Sequence, residues 1–300
     1  MTIISDMSLA TQSQFAAIDW AGYRVRVEYK WINLPESANP ADPHHQRPLI
    51  VFLHEGLGSV AMWKDFPQRL CEAAGCRGLV YSRPGYGRST PRQADEVWNP
   101  DFMHRQACEV LPALLKVLNI DHVTAPLWLF GHSDGGSIAL LHAAHAKTSV
   151  AGVIVVAPHI LVEDISISSI EQARLAYQTS DLRHRLARHH DDVDSAFWGW
   201  NRIWLDPQFR GWNIEEEIAS ITCPLLAVQG VDDEYGTLEQ IHGIARRVTQ
   251  TQLLELSDCG HSPHRDQPEA LIAAVAAFIN RNEGHRLRTG GGLATIRPQP

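Results

Sequence analysis

Cysteine pairs, an excess of basic charge and long uninterrupted hydrophobic runs are all missing from this chain of 300 residues. Its five cysteines, Cys71, Cys76, Cys108, Cys223 and Cys259, are scattered and odd in number, and none forms a C-x-x-C pair. That pattern argues against a disulfide framework and against a zinc site. We therefore expect reduced thiols and no metal centre.

The charge and hydropathy patterns exclude further classes of protein. The formal net charge is −8, so no basic surplus exists to neutralise a phosphate backbone, and nucleic acid is not an expected partner. The head of the chain contains Asp6 but no Lys or Arg before Tyr23, unlike the basic start of a signal peptide. The apolar stretch 150–162 is interrupted by Pro158 and is shorter than the roughly 20 residues of a membrane span. The sequence predicts a cytoplasmic protein that does not span a membrane.

What is present is the composition of a globular protein, with 44% hydrophobic and 20% charged residues. Short apolar or alternating runs predict strands at 23–31, 49–53, 78–81, 126–130, 150–157, 224–229 and 252–256. Helical patterns lie between most of them, including 102–118, 137–146 and 268–279. Strands that alternate with helices favour an α/β fold with a mostly parallel sheet covered by helices on both faces.

The strand pattern stops over 159–220, where arginines and histidines mix with four tryptophans. We interpret this segment as a helical cap inserted into a core formed by 20–158 and 221–283. Residues 1–19 are predicted to form a weakly ordered head. Residues 284–300, with three consecutive glycines and two late prolines, are predicted to form a disordered tail.

The motif Gly131-x-Ser133-x-Gly135 stands between a buried apolar run and a helical stretch, which is the context of a nucleophile elbow. A serine needs a base and an orienting acid to become a nucleophile. Carboxylates at 232–234 follow one predicted strand, and His261 and His264 follow the next. Ligands of open α/β sheets bind at that edge of the sheet, so a triad of serine, acid and histidine is expected there.

Four motifs together resemble the α/β-hydrolase superfamily, in its capped branch, over residues 20–283. They are H-E-G-L-G-S at 54–59, S-R-P-G-Y-G-R-S at 82–89, G-H-S-D-G-G at 131–136, and the pair G-x-x-D at 230–233 and G-H at 260–261. The resemblance implies Ser133 as nucleophile, His261 as base and Asp233 as acid, with Asp232 as the alternative. It also implies an oxyanion hole from the backbone amides of Asp134 and of the loop after the early strand. In that loop Gly56 is the candidate, with Glu55 and Leu57 as the alternatives.

The activity implied by the resemblance is hydrolysis of a small or medium carboxylic ester, thioester or lactone without a cofactor. The chain is also similar to C–C bond hydrolases of aromatic degradation and to proline iminopeptidases. Small-molecule receptors of the superfamily are a further alternative. A small-molecule substrate is the expected partner, and a homo-oligomer is left open.

Four other residues are candidates for substrate binding. Trp198, Trp200 and Trp204 of the cap offer large apolar faces for an acyl pocket. Glu55 stands where many relatives carry glycine, so it is a candidate to pair with an arginine, orient a water or bind a cationic group; a structural role in its loop is the alternative.

Overall fold

The computed structural model describes residues 13–34, 46–93, 96–120, 125–145 and 150–290. The strands are β1 (Gln14–Trp20), β2 (Tyr23–Ile32), β3 (Leu49–Leu53), β4 (Arg77–Tyr81), β5 (Leu127–His132), β6 (Gly152–Val156), β7 (Leu225–Gly230) and β8 (Thr251–Leu256). They form one sheet in the order β1-β2-β4-β3-β5-β6-β7-β8. The β1–β2 and β2–β4 pairs are antiparallel and the other pairs are parallel. The predicted α/β fold with a mostly parallel sheet is confirmed.

The central strands read as continuous apolar runs because both of their faces are covered. Every residue of β3, β5, β6 and β7 is buried, as expected for parallel strands between helical layers. Successive side chains enter opposite cores: Val51 belongs to one apolar cluster, and Ile50 and Phe52 to the other.

The helices are α1 (Phe66–Ala74), α2 (Phe102–Arg105), α3 (Leu111–Val117), α4 (Asp134–His145), α5 (Asp164–Thr179), α6 (Leu182–Leu186), α7 (Val193–Trp204), α8 (Glu215–Ile218), α9 (Glu239–Arg247), α10 (Pro263–Asp266) and α11 (Pro268–Gly290). Leu114 of α3 and Leu140 of α4 belong to the Val51 cluster, whereas Leu70 of α1 and Val275 of α11 belong to the other. The helices therefore cover both faces of the sheet. No helix of the described ranges has both the length and the apolarity of a membrane span.

Helices α5 to α8 lie between β6 and β7 in the chain, within the segment predicted as a cap. His190 joins this insertion to two loops of the core. Its Nε2 donates to the Leu57 carbonyl at 3.0 Å, and its Nδ1 accepts from the Gly87 amide at 2.9 Å. Those loops follow β3 and β4, so the insertion lies over the carboxyl edge of the sheet, where ligands of such folds bind.

Both predicted ends of the ordered chain are wrong in part. Strand β1 begins at Gln14, inside the predicted head, because it pairs with β2 and buries Ile18 and Trp20. Helix α11 continues to Gly290, past the end of its apolar stripe and into the predicted tail. Residues 1–12 and 291–300 lie outside the described residues.

Candidate active site

Ser133 occupies the sharp turn between β5 and α4. Its φ of 53° lies in the left-handed region, which costs a residue with a side chain about 1–3 kcal/mol. Glycine is required on either side: a Cβ on Gly131 would lie 2.2 Å from the Gly135 oxygen, and one on Gly135 would lie 2.1 Å from the Leu53 oxygen. The turn therefore holds the Ser133 hydroxyl directly before the N-terminus of α4, where partial positive charge favours a developing anion.

The structure brings Ser133, His261 and Asp233 together from three separate loops. His261 Nε2 lies 3.0 Å from Ser133 Oγ, and His261 Nδ1 lies 2.8 and 3.0 Å from the two Asp233 oxygens. A carboxylate only accepts, so Nδ1 carries the proton and Nε2 is left to accept from the hydroxyl. Asp232, the alternative acid, is exposed and makes no such contact.

Asp233 is held as a carboxylate by several donors. Its Oδ1 accepts from the amides of Tyr235 at 2.8 Å and Gly236 at 3.3 Å, and its Oδ2 accepts from Gln229 Nε2 at 3.1 Å. Burial by itself raises the pKa of this carboxyl, but the hydrogen bond and charge of His261, together with the Tyr235 amide, lower the pKa below its usual value. The group that faces His261 is therefore an anion near neutral pH.

Gly56, in the loop after β3, lines the same cavity as Ser133. The Glu55 carbonyl accepts from Arg83 Nη2 at 2.8 Å, from His54 Nδ1 at 2.7 Å and from the Gly58 amide at 3.1 Å. The Glu55 C=O and the Gly56 N–H belong to one peptide unit and point in opposite directions. The Gly56 N–H therefore points away from the three donors that hold the Glu55 carbonyl. Within the described residues, no protein acceptor takes the Gly56 or Asp134 amide.

Glu55 is engaged by the protein itself. Its carboxylate lies 3.3 Å from Arg265 and 3.6 Å from His132 Nδ1. Burial would raise the pKa of this carboxyl, yet His132 and Arg265 hold the pKa well below its usual range. His132 Nε2 in turn donates to the His261 carbonyl at 2.7 Å. Of the roles that the sequence suggested for Glu55, pairing with an arginine is the one that the structure shows.

A cavity of about 350 Å³ lies between the helical insertion and the core. Its lining includes Ser133, His261, Glu55, Gly56, Asp134, Trp200 and Trp204, together with the apolar cap residues Ile170, Leu182 and Leu186. Trp198 does not line this cavity, so its assignment as a pocket residue is wrong. It packs instead against Tyr177 and Phe197 and beneath Arg202.

Sequence reasoning missed other residues around the triad. Gln229 is four residues before Asp233 and also holds the Gly236 carbonyl at 2.8 Å. His159, 5.9 Å from the His261 ring, lines the cavity, and burial lowers its pKa to about 3. The backbone amide of His261 is held by Glu234 at 3.1 Å. A polar residue inside an otherwise apolar run was the available signal for both: Gln229 ends the predicted strand 224–229, and His159 interrupts the apolar stretch 150–162.

Residues 50–274 match the model of the Alpha/beta hydrolase family. The chain is 27% identical over 269 residues to 2-succinyl-6-hydroxy-2,4-cyclohexadiene-1-carboxylate synthase of Yersinia pseudotuberculosis serotype O:1b (strain IP 31758), covering 81% of this chain and 92% of that protein. A solved esterase from Thermogutta terrifontis superposes with a TM-score of 0.66 at 17% identity, over 90% of this chain and 99% of that one. The enol-lactonase from Burkholderia xenovorans LB400 gives 0.66 at 20% identity, over 89% and 100%. At these identities the two structures show a shared fold.

Proposed function

Because the chain belongs to the alpha/beta hydrolase family, we propose that it is a serine hydrolase that cleaves a small or medium carboxylic ester, thioester or lactone. The protein is an enzyme of this family. The observation that carries the finer proposal is the continuous set of hydrogen-bonding distances from Ser133 Oγ through His261 to Asp233. An esterase and an enol-lactonase among the proteins of similar fold are consistent with it.

The proposed reaction passes through an acyl-enzyme. Ser133 Oγ attacks the substrate carbonyl while His261 Nε2 takes the hydroxyl proton, and the Asp233 carboxylate stabilises the imidazolium that forms. The proton then moves to the leaving oxygen or sulfur as its bond to the acyl carbon breaks. Water, deprotonated by His261, attacks the acyl-enzyme; the acid leaves and the serine hydroxyl is restored.

We assign the oxyanion hole to the amides of Gly56 and Asp134. Both residues line the cavity beside Ser133, and the three donors on the Glu55 carbonyl orient the Gly56 N–H. Each such donor is worth about 10²–10³ in rate, because it stabilises charge that appears only in the transition state.

The cap side of the cavity supports an apolar acyl group. Leu182, Leu186, Ile170 and Trp200 contribute the wall opposite the core, and a pocket of this kind orients substrates with few polar groups. The volume of about 350 Å³ suits a small or medium substrate rather than a polymer.

A second candidate is hydrolysis of a C–C bond in a substrate that bears a carboxylate. The observation that favours it is Arg185, a cap arginine that lines the cavity, since an arginine recognises a carboxylate well. Its Nε lies 3.2 Å from Asp181, but both side chains are exposed, so a substrate carboxylate can compete for the guanidinium. The Yersinia relative is named for a product that is itself a carboxylate.

An iminopeptidase is less well supported, because the acidic residues that line the cavity are engaged by the protein. Glu55 pairs with Arg265, and Glu234 accepts from the His261 amide. Asp134 accepts from Trp204 Nε1. The Glu215–Ile218 helix does not line the cavity.

The test is a panel of aryl esters graded by acyl length, assayed with the wild type, Ser133→Ala and His261→Ala. We expect turnover by the wild type and a loss of about 10⁴-fold or more in kcat in both variants, because the residues act as one unit. Ser180→Ala and His242→Ala are matched controls, since Ser180 is exposed, His242 is half-buried and neither residue lines the cavity.

Full turnover by Ser133→Ala would disprove the proposed mechanism. If the wild type hydrolyses no ester, a vinylogous keto acid whose C–C cleavage is followed by absorbance tests the second candidate. Binding that raises the melting temperature without turnover of either substrate would instead identify a receptor.

A further inference from the structure

Arg83 is a fully buried arginine that neither the triad nor the cavity lining includes. Its side chain is 1% exposed, and it follows β4 in the loop that faces the Glu55 loop. Removing a guanidinium from water costs several kcal/mol unless strong contacts offset the loss. The contacts of Arg83 are therefore informative about its role.

The first set of contacts holds the peptide that contains the Gly56 amide. Arg83 Nη2 donates to the Glu55 carbonyl at 2.8 Å. The Arg83 amide also donates to His54 Nε2 at 3.0 Å, and His54 Nδ1 donates to the same Glu55 carbonyl at 2.7 Å. Arg83 thus fixes this carbonyl directly through its side chain and indirectly through its backbone. Burial and the nearby Arg83 charge keep the pKa of His54 well below its usual value, so the ring stays neutral and retains this pair of bonds.

The second contact is with Asp134, whose amide is the other assigned oxyanion donor. Arg83 Nη2 lies 3.6 Å from Asp134 Oδ2, and both side chains are buried. Trp204 Nε1 holds the other carboxylate oxygen at 3.2 Å. Burial raises the pKa of the Asp134 carboxyl and the Arg83 charge opposes that rise. An uncompensated carboxylate at this place would repel the substrate oxyanion that the adjacent Asp134 amide is assigned to bind.

The ring of Tyr86 fixes the guanidinium between these two partners. Arg83 Cζ lies 4.6 Å from the Tyr86 ring centroid, a distance typical of a cation–π contact. Nη2 is the single atom that faces both the Glu55 carbonyl and Asp134. The two halves of the assigned oxyanion hole come from loops after different strands, and Arg83 is the charged group that joins them.

We infer that Arg83 is a positioning residue that organises both amides of the oxyanion hole and neutralises the Asp134 carboxylate beside it. This inference rests on the proposed function, because it assigns Arg83 a role in the same acyl transfer. Arg83 acts through Gly56 and Asp134 and does not touch the substrate. Its contribution is therefore expected in the transition state and not in substrate binding.

The experiment compares Arg83→Met, Arg83→Lys and Arg77→Met on the best ester of the panel. Arg77 is a matched control because it lies at the opposite end of β4, partly buried, with its guanidinium on the Arg47 carbonyl. For Arg83→Met we expect kcat to fall roughly 10²-fold with little change in KM, since a displacement of about 1 Å in a positioned group has that effect. Arg83→Lys should recover part of the loss, and Arg77→Met should behave as the wild type.

A second readout separates positioning from general damage to the fold. A trifluoromethyl ketone that forms a tetrahedral adduct on Ser133 should lose affinity for Arg83→Met by the same factor as kcat/KM, whereas the affinity for the product acid should not change. In the double variant Arg83→Met/Asp134→Asn, kcat should exceed that of Arg83→Met, because the uncompensated carboxylate is gone. If Arg83→Met fails to fold, Arg83→Lys and Arg83→Lys/Asp134→Asn carry the same two measurements.

Unchanged kcat and unchanged ketone affinity in the folded Arg83 variants would overturn the inference while leaving the serine hydrolase intact. A rise in KM at constant kcat would also overturn it, because that result assigns Arg83 to substrate binding. Full activity of Ser133→Ala would disprove both the proposed function and this inference.

Discussion

At the scale of single residues, the acid of the triad is decided by the turn after β7. Asp232 and Asp233 are adjacent, yet Asp233 is 7% exposed and faces His261, whereas Asp232 is exposed. The Asp232 amide donates to the Cys259 carbonyl at 3.0 Å, which ties the turn to the loop that carries His261. Neighbouring residues of such a turn point in different directions, so only one of the two carboxylates reaches the imidazole.

We expect Asp233→Asn to lower kcat by about 10⁴-fold, because an amide in place of the carboxylate favours the wrong tautomer of the histidine. Asp232→Asn is the matched control and should keep the wild-type kcat. Steady-state kinetics on one aryl ester measure both. Equal losses in the two variants, or a loss in Asp232→Asn alone, would show that Asp233 is not the orienting acid.

At the scale of elements, helix α7 places its three tryptophans on two faces. Its first turn is capped by Asp192, whose side chain accepts from the Ser195 amide at 2.8 Å. Trp200 and Trp204 are four residues apart, so they share the face that lines the cavity. Trp198 is two residues before Trp200 and faces Arg202. Helical spacing predicts that Trp200 and Trp204 share one face of α7 and that Trp198 lies on another. Only the packing of the cap shows which of these faces meets the core.

Replacing Trp200 by leucine should change the preferred substrate. The indole packs against Gly56, where a Cβ would lie 2.1 Å from Trp200 Nε1, and its removal enlarges the cavity. We expect the acyl-length optimum to move to longer chains, with each additional accommodated methylene worth about 1–3 kcal/mol in kcat/KM.

The control for this change is Trp198→Leu, which also removes an indole from α7. Its acyl-length optimum should remain that of the wild type, although some stability is lost. The ester panel compares the profiles. A shift in the Trp198→Leu profile, with none in Trp200→Leu, would contradict the assignment of the two faces.

At the scale of the whole molecule, buried neutral histidines couple stability to pH. Burial lowers the pKa of His54, His159, His190 and His264, to about 3 for His159 and about 2 for His264. His264 packs among Trp63, Phe66 and His132. In the unfolded chain these groups bind a proton near pH 6.5, whereas in the folded chain they bind one only at lower pH.

The folded protein should therefore lose stability as the pH falls below about 6.5, because the unfolded state then binds more protons than the native state. The expected loss in the free energy of unfolding is about 1.4 kcal/mol per pH unit for each of His54, His159 and His264, whose pKa values are lowered the most. Urea unfolding at pH 7.5 and pH 5.5 measures the effect. The carboxyls of Asp233 and Glu55 have lowered pKa values. They therefore reduce the free energy of unfolding only at lower pH, where the unfolded chain binds their protons first.

His264→Phe tests one member of this set. Phenylalanine fits the same aromatic surroundings and does not titrate, so the variant should show a smaller loss between the two pH values. Neither His264 nitrogen has a protein partner within the described residues, so the variant should also be at least as stable as the wild type. A pH dependence equal to that of the wild type would show that His264 does not contribute.

The sequence by itself determined the fold class, the buried strands and the serine elbow of this protein, because each depends on local periodicity or on glycines at set positions. It did not determine strand β1, whose pairing with β2 stabilises it, or the continuation of α11 beyond its apolar stripe. The tertiary structure alone decided that Asp233 faces His261, that Trp198 packs away from the cavity and that Arg83 joins two loops. These are contacts between residues far apart in the chain or on different sides of one element. Their geometry depends on how the loops and the cap pack over the sheet, which no local pattern encodes.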